Sequence, residues 1–355
     1  GAKGESIGDA LYGTRHQVSP KASNVRPSRV ARRPTCQVIS SRTCLPISSH
    51  LQLAPCARRP GCYLLCLMNY DLSCRLEYVV QQPSTFLFHL GVDRNVCEDL
   101  HEEQLRFEPT LVCEELRTAR GRLHRVRAPQ GALTVTYSAR GGHTLQTQPA
   151  AAIGEVPSAE LPAHVLEFIY PSRYCESDMC ITTAVEAFGS LERGYSRVLA
   201  ICRWIHQHLT YKSGSSGPNT SALQTLAAGS GVCRDYAHVG IALCRALNIP
   251  ARFVSAYAPG LQPADFHACF EAYLEHRWWL FDPTFMVPRR GIIRVGTGRD
   301  AADVSFATIL GWVHFGDMHM HMKATDPGAD AGVEDEALTI DGDTAALHEP
   351  IRNAD

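Results

Sequence analysis

The sequence lacks three patterns that would each point to a large functional class. No apolar run approaches the roughly 18 residues that a membrane-spanning helix needs, so we expect no membrane partner. Acidic and basic residues nearly cancel, giving a net charge of −2, and the absence of a domain-wide basic field predicts no nucleic-acid partner. None of the 14 cysteines stands in a C-x-x-C pair, which argues against a zinc ribbon or a dithiol redox site.

The composition that remains is that of an ordinary globular protein, 45% hydrophobic and 20% charged over 355 residues. This length accommodates two domains. Because no secretory signal is evident, we expect reduced thiols and a cytoplasmic location, with most cysteines acting as small buried hydrophobic residues. Neither a metal nor an organic cofactor is predicted, and the sequence gives no indication of a particular oligomeric state.

Five segments of the chain differ in composition and periodicity. Residues 1–67 hold ten Lys or Arg against two acids, which predicts a disordered basic extension upstream of the natural start, or alternatively a functional basic arm. Residues 68–150 alternate as strands do and predict a small antiparallel β-sandwich domain. We expect a Pro-rich linker over residues 151–162, a second domain of helices and strands over 163–325, and an acidic disordered tail over 326–355.

Cys233 is placed to be a reactive thiol. It follows a Gly-Ser-Gly turn and begins an apolar-periodic helix predicted over residues 232–247. The unpaired N–H groups and the dipole of a helix N-terminus favour a thiolate, and the same N–H groups can bind the oxyanion of a tetrahedral intermediate. Arg234 and Asp235 follow directly, and we expect them to cap the helix or form ion pairs rather than act in catalysis.

A predicted hairpin supplies partners for this thiol. His267 lies in the first strand, Asp282 ends the second, and the turn is expected near residues 275–277. That spacing places the two side chains nearly opposite each other, about 5 Å apart at Cβ. Taken singly, a strand histidine, an Asp-Pro turn or a cysteine at a helix start is more often structural. Together with Cys233, the two residues predict a Cys-His-Asp catalytic triad.

The three motifs resemble the transglutaminase-like superfamily, whose catalytic core shares the papain-like fold. The resemblance rests on Gly-Val-Cys-Arg-Asp-Tyr-Ala around Cys233, Phe-His-Ala around His267, Phe-Asp-Pro-Thr around Asp282, and the intervening Leu-Cys-Arg-Ala-Leu-Asn-Ile-Pro-Ala-Arg-Phe-Val-Ser. It implies that Cys233 is the nucleophile, His267 the base and Asp282 the acid that orients the base. The implied fold class is α+β, a papain-like transglutaminase core preceded by a small antiparallel β-sandwich domain.

Two details of the predicted site stay open. Cys269 stands where family members usually carry an aromatic residue, which alters the packing beside His267 and leaves the substrate site in question. The upstream donor that family members add to the oxyanion hole has two candidates, Trp204 and Tyr211, and for each a packing role is the alternative.

The resemblance implies acyl transfer through a thioester on a protein or peptide substrate. We expect a hydrolytic enzyme, a cysteine protease or amidase that acts on peptide or glutamine-type amides. One alternative is a transglutaminase that cross-links proteins, which requires an acyl-enzyme shielded from water. The other is a non-catalytic binding module on the same fold.

A His/Met run near residue 320 offers a different kind of site. His314, His319 and His321 stand among methionines, and such a run could bind copper or nickel. Alternating side chains on a surface strand are the simpler interpretation, and we predict no metal site.

Overall fold

The computed structural model describes the backbone of one compact unit, formed by residues 13–14, 64–95, 99–324 and 336–340. Most of the predicted basic extension and of the predicted acidic tail lies outside these residues. The predictions of disorder therefore stay predictions, apart from three short stretches that belong to strands.

Antiparallel sheets make up most of the described unit. The strands are β1 (Gly13–Thr14), β2 (Leu64–Val80), β3 (Ser84–Phe88), β4 (Asp99–Glu108), β5 (Cys113–Thr118), β6 (Gly121–Ala128), β7 (Gly131–Pro149), β8 (Thr210–Tyr211), β9 (Ser230–Gly231), β10 (Ala251–Tyr257), β11 (Phe266–Leu274), β12 (Arg277–Phe281), β13 (Ile293–Gly298), β14 (Ala307–Leu310), β15 (Val313–Ala324) and β16 (Glu336–Thr339). The larger sheet has the order β1-β14-β3-β6-β13-β10-β11-β12, with β5 paired to β6. The smaller has the order β15-β2-β7-β16, with β4 paired to β7.

The two larger sheets contribute to one shared apolar core. From the smaller sheet, β2 buries every second residue, so that Leu72, Cys74 and Leu76 are at most 1% exposed. From the larger sheet, Phe86 and Phe88 of β3 join the same core. The two-residue period of a strand turns one face inward and leaves the other to solvent. The predicted α+β class with an antiparallel sandwich is confirmed.

The sheets do not follow the predicted division into two domains. Strands β10 and β13, from the second predicted domain, continue the sheet that β3 and β6 begin in the first. Strand β15 pairs with β2, so that the end of the second predicted domain lies beside the start of the first. Residues 151–162 therefore connect parts of one compact unit. Alternation shows which face of a strand is buried, but it does not show which distant strand lies beside it.

Three stretches expected to be disordered are strands instead. Gly13–Thr14 forms β1, which pairs with β14. Strand β2 already begins at Leu64 and pairs with β7, and β16 pairs with the other edge of β7. Ala337 and Leu338 of β16 are 0% and 2% exposed. The prediction of disorder rested on the overall charge of each segment and therefore overlooked the short apolar runs in β2 and β16. Each run is long enough to pair with a neighbouring strand.

The described part of the chain has four α-helices, of which α4 and α2 pack on the larger sheet. They are α1 (Ile181–Phe188), α2 (Tyr195–His208), α3 (Ala222–Ala228) and α4 (Cys233–Ala246). Helix α4 packs directly on β11, because a Cβ at Gly240 would lie only 2.6 Å from the Phe270 ring. Asn248, with φ of 61°, and Pro250 follow the helix end, as residues that cannot continue a helix do. None of the described helices has the length and apolarity needed to cross a bilayer.

Candidate active site

Cys233 is the first residue of α4 and is 2% exposed. The short parallel pair of β8 and β9 leads into it. Asp235, in the first turn of the helix, accepts a hydrogen bond from the N–H of Val232 at 2.9 Å. This bond satisfies one of the N–H groups that a helix start leaves unpaired. The start of the helix, and with it the direction of the thiol, is thereby fixed.

Arg234 and Asp235 also hold the loop that runs beside the nucleophile. The hydroxyl of Ser216 donates to the Asp235 carboxylate, and the Arg234 guanidinium donates to the carbonyl of Gly217 at 2.6 Å. Arg234 is 3% exposed and Asp235 is not exposed at all. Capping and ion-pair roles are therefore what the structure shows for these two residues.

His267 and Asp282 meet in a buried hydrogen bond. Nε2 of His267 lies 2.7 Å from Oδ2 of Asp282, and the two residues are 0% and 3% exposed. The other carboxylate oxygen accepts bonds from the N–H and the hydroxyl of Thr284, at 2.9 and 2.7 Å. Because both oxygens are engaged, the carboxylate is fixed, and it holds the imidazole ring in turn.

The register that brings them together differs from the predicted one. Leu274 pairs with Arg277 and Phe270 with Phe281, which places Asp282, just beyond the strand, level with Cys269. Glu275 and His276 form a two-residue turn with φ of 47° and 60°, whereas the predicted turn lay near 275–277. His267 and Asp282 are thus diagonal neighbours, which a longer side chain spans across roughly 7–8 Å.

The charge state of this pair follows from its surroundings. Burial opposes a charged imidazole, but the charge and hydrogen bond of Asp282, together with the Cys233 side chain, outweigh it and raise the pKa of His267 to about 10. Burial likewise acts to raise the pKa of Asp282, and His267 and Thr284 outweigh it and lower that pKa. The Cys233 side chain is among the groups that act on the ring, so the imidazolium lies beside the nucleophile candidate.

Of the two candidate oxyanion donors, the structure brings Tyr211 to the nucleophile. Burial and then the charge of Cys233 raise the pKa of Tyr211, and its hydroxyl interacts with both the backbone and the side chain of Cys233. Trp204 instead stacks on His208, with 4.2 Å between ring centroids, and meets Phe188 edge-on. Tyr211 at this place is a protonated donor.

Sequence reasoning missed Asp265, which belongs to the same site. It is 6% exposed, and its Oδ1 accepts the N–H of Phe266 at 2.7 Å. Burial raises its pKa to about 7, although the nearby His267 acts to lower it. Its position two residues before His267 was the available signal, since residues i and i+2 share a strand face. Cys269, the departure from the family pattern, is fully buried, and burial raises its pKa well above the ordinary range.

Comparisons with known proteins identify the family of this chain. A model of the transglutaminase-like superfamily core matches residues 182–283. A solved structure from Cytophaga hutchinsonii, described as a candidate cysteine protease, is 36% identical with a TM-score of 0.73, covering 78% of this chain and 99% of that one. The chain belongs to the transglutaminase-like superfamily. The resemblance seen in the sequence is thereby confirmed.

Curated relatives of this superfamily member carry no functional description. An uncharacterized protein of Mycobacterium leprae is 29% identical over 194 residues, 51% of this chain and 68% of that protein. Another from Mycobacterium bovis is 35% identical over 116 residues, 28% of this chain and 37% of that protein. The match thus spans little more than a third of the length of the M. bovis relative.

The His/Met run forms the outer strand of the smaller sheet. In β15 the methionines Met318, Met320 and Met322 pack against the apolar core, while His319 and His321 are exposed. Within the described ranges, no group of three or more His, Cys, Asp or Glu side chains is arranged to hold a metal ion. The alternation of a surface strand accounts for the pattern.

Proposed function

We propose that this chain is a cysteine-dependent acyl-transfer enzyme, and that it hydrolyses peptide or glutamine-type amides in a protein or peptide substrate. The observation that carries the proposal is the buried His267–Asp282 pair, whose imidazole interacts with the Cys233 side chain. A thiolate, an imidazolium and an orienting carboxylate are the three groups that thiol-based acyl transfer needs.

The steps follow from these positions. The Cys233 thiolate attacks the carboxamide carbon, and the N–H of Cys233 and the hydroxyl of Tyr211 receive the negative charge that develops on oxygen. His267 gives its Nδ1 proton to the departing amine, which leaves a thioester on Cys233. The neutral imidazole then accepts a proton from water as the water attacks the thioester, and the acid product leaves. Asp282 keeps the ring aligned throughout.

The relative from Cytophaga hutchinsonii favours hydrolysis, because it is described as a candidate cysteine protease and the match covers 99% of its length. One observation favours transamidation as the second candidate. Cys233 is 2% exposed and His267 is fully buried, so a substrate that opens the site could leave the acyl-enzyme shielded from bulk water. A reducing, cytoplasmic compartment is part of the proposal, because every cysteine whose side chain the structure describes is a free thiol.

An assay with a glutamine-containing peptide library distinguishes the two reactions. Release of ammonia or of peptide fragments without added amine supports hydrolysis, and incorporation of a labelled primary amine supports transamidation. Both activities should vanish in Cys233→Ala and persist in Cys113→Ala, which removes an exposed thiol on β5. Activity that survives Cys233→Ala would refute the proposal, and a properly folded wild-type chain with neither activity would favour a binding module.

A further inference from the structure

A recess lies on the outer face of the larger sheet, away from the apolar core. Leu87 and His89 on or just after β3, Leu123 on β6, and Thr308 and Leu310 on β14 line a cleft of about 490 Å³. Their neighbours in sequence, Phe86, Phe88 and Ile309, face the core between the sheets. Strand alternation therefore turns the lining residues outward together. Tyr174, Asn219 and the segment 302–305 close the cleft from above the sheet.

His89 presents a hydrogen-bond acceptor in this cleft. The residue is 6% exposed, and Nδ1 lies 3.1 Å from the carbonyl oxygen of Ser305. A carbonyl only accepts, so Nδ1 carries the proton and Nε2 carries the lone pair. Burial outweighs the hydrogen bond to Ser305 and lowers the pKa of His89, which favours the neutral ring. Nε2 has no partner among the described residues.

Arg173 provides a positive charge at the rim. Its guanidinium lies over the ring of Tyr174, 4.8 Å from the centroid, and within the described ranges it contacts no carboxylate. The acid that lines the same cleft, Asp303, is already paired with Arg120 at 2.6 Å and with Arg299 at 3.0 Å. Arg173 is therefore available to an anion from outside.

We propose that this cleft binds an apolar residue that ends in a free carboxylate, such as the carboxy-terminal residue of a peptide or a free aliphatic amino acid. The carboxylate pairs with Arg173, the adjoining N–H donates to Nε2 of His89, and the side chain packs on Leu87, Leu123 and Leu310. The cleft contains none of Cys233, His267 and Asp282, so the site does not depend on the proposed catalytic function.

Calorimetric titration of the full chain in its Cys233→Ala form tests the assignment without turnover. N-acetyl-L-leucine, which mimics a peptide terminus, should bind saturably in the millimolar range or tighter, and N-acetyl-L-leucinamide, which lacks the carboxylate, should bind at least about tenfold more weakly. N-acetyl-N-methyl-L-leucine, which cannot donate to His89, should be weakened similarly. Titration with L-leucine distinguishes the two kinds of ligand. Tighter binding of N-acetyl-L-leucine identifies a peptide terminus, and tighter binding of L-leucine identifies a free amino acid.

Arg173→Gln should weaken binding of N-acetyl-L-leucine by about tenfold, equivalent to roughly 1.4 kcal/mol. Arg193→Gln, which removes another exposed arginine outside the cleft, is the matched control and should leave the affinity unchanged. Both positions are exposed, so the fold should tolerate either change. Equal affinity for the acid and the amide, an unchanged affinity in Arg173→Gln, or no saturable binding at millimolar concentration would each overturn the proposal.

Discussion

Replacing Asp282 with Asn isolates the charge that governs His267. The substitution preserves the size of the side chain and leaves burial in place, but it removes the negative charge beside Nε2. Because burial alone lowers the pKa of this histidine and Asp282 supplies the principal opposing effect, we expect the pKa of His267 to fall from about 10 to below its ordinary value of about 6.5. The imidazolium that faces Cys233 would then be lost at neutral pH.

The raised pKa of His267 gives the free energy by which its surroundings favour the charged ring. The difference between 6.5 and about 10 corresponds to roughly 5 kcal/mol in favour of the charged ring, since each tenfold change is about 1.4 kcal/mol. Loss of the orienting carboxylate costs a serine triad about 10⁴ in kcat, and we expect kcat/KM here to fall on the order of 10³ to 10⁴.

The free energy of unfolding should also depend on pH through this pair. The pKa of His267 is higher in the folded chain than in the unfolded chain. The pair therefore stabilises the folded state fully below about pH 6.5, and this contribution is lost as the pH rises toward 10. Asp282→Asn should therefore be less stable than wild type near pH 6, and the difference should shrink at alkaline pH. Chemical denaturation at several pH values measures this.

Nuclear magnetic resonance of the imidazole gives the direct readout of the titration. Asp300→Asn is the matched control, because Asp300 is also buried but bonds to the backbone of Tyr174 and Ala302, and it should leave the His267 titration unchanged. If His267 titrates at the same pH in wild type and in Asp282→Asn, the reasoning about the pair is wrong.

Three further predictions concern neighbours of the site. Tyr211→Phe should lower kcat about 10²-fold by removing an oxyanion donor, with little change in KM; an unchanged kcat would exclude that role. Asp265→Asn should remove an inflection near pH 7 from the profile of kcat/KM against pH, and a profile that keeps the inflection would assign it to another group. Gly240→Ala places a Cβ 2.6 Å from the buried Phe270 ring, so it should lower the free energy of unfolding by about 1–3 kcal/mol despite its better helix propensity. Gly154→Ala, where the added Cβ meets nothing within 4 Å, is the thermal-denaturation control for that change.

The parts of the site that depend on local spacing could be predicted from the sequence. A glycine-flanked cysteine before an apolar period indicated the start of α4, and the helix begins at Cys233, one residue after the predicted start. The hairpin was found as well, but its register was two residues out, because Glu275 and His276 adopt positive φ values that favour Asn or Gly. The Asp282 carboxylate still reaches the His267 imidazole, because diagonal neighbours in a hairpin lie on the same face of the sheet.

The parts that depend on distant pairing could not be predicted in this way. Strand β15 lies beside β2 and β13 beside β6, and each pair joins residues far apart in the sequence, whose alternation is compatible with many partners. Asp265 was missed for a related reason. An acid next to a loop is ordinarily solvated, and only the packed structure shows that this one is buried beside the base.

In the proposed mechanism Cys233 is the nucleophile, and His267, held by Asp282, activates it. The most direct measurement is labelling of the intact chain with an electrophilic probe derived from a peptide amide, followed by peptide mapping in a mass spectrometer. We expect one modified cysteine, Cys233, with labelling unchanged in Cys113→Ala and greatly slowed in His267→Ala. Modification of a different cysteine, or labelling of Cys233 at the same rate without His267, would contradict it.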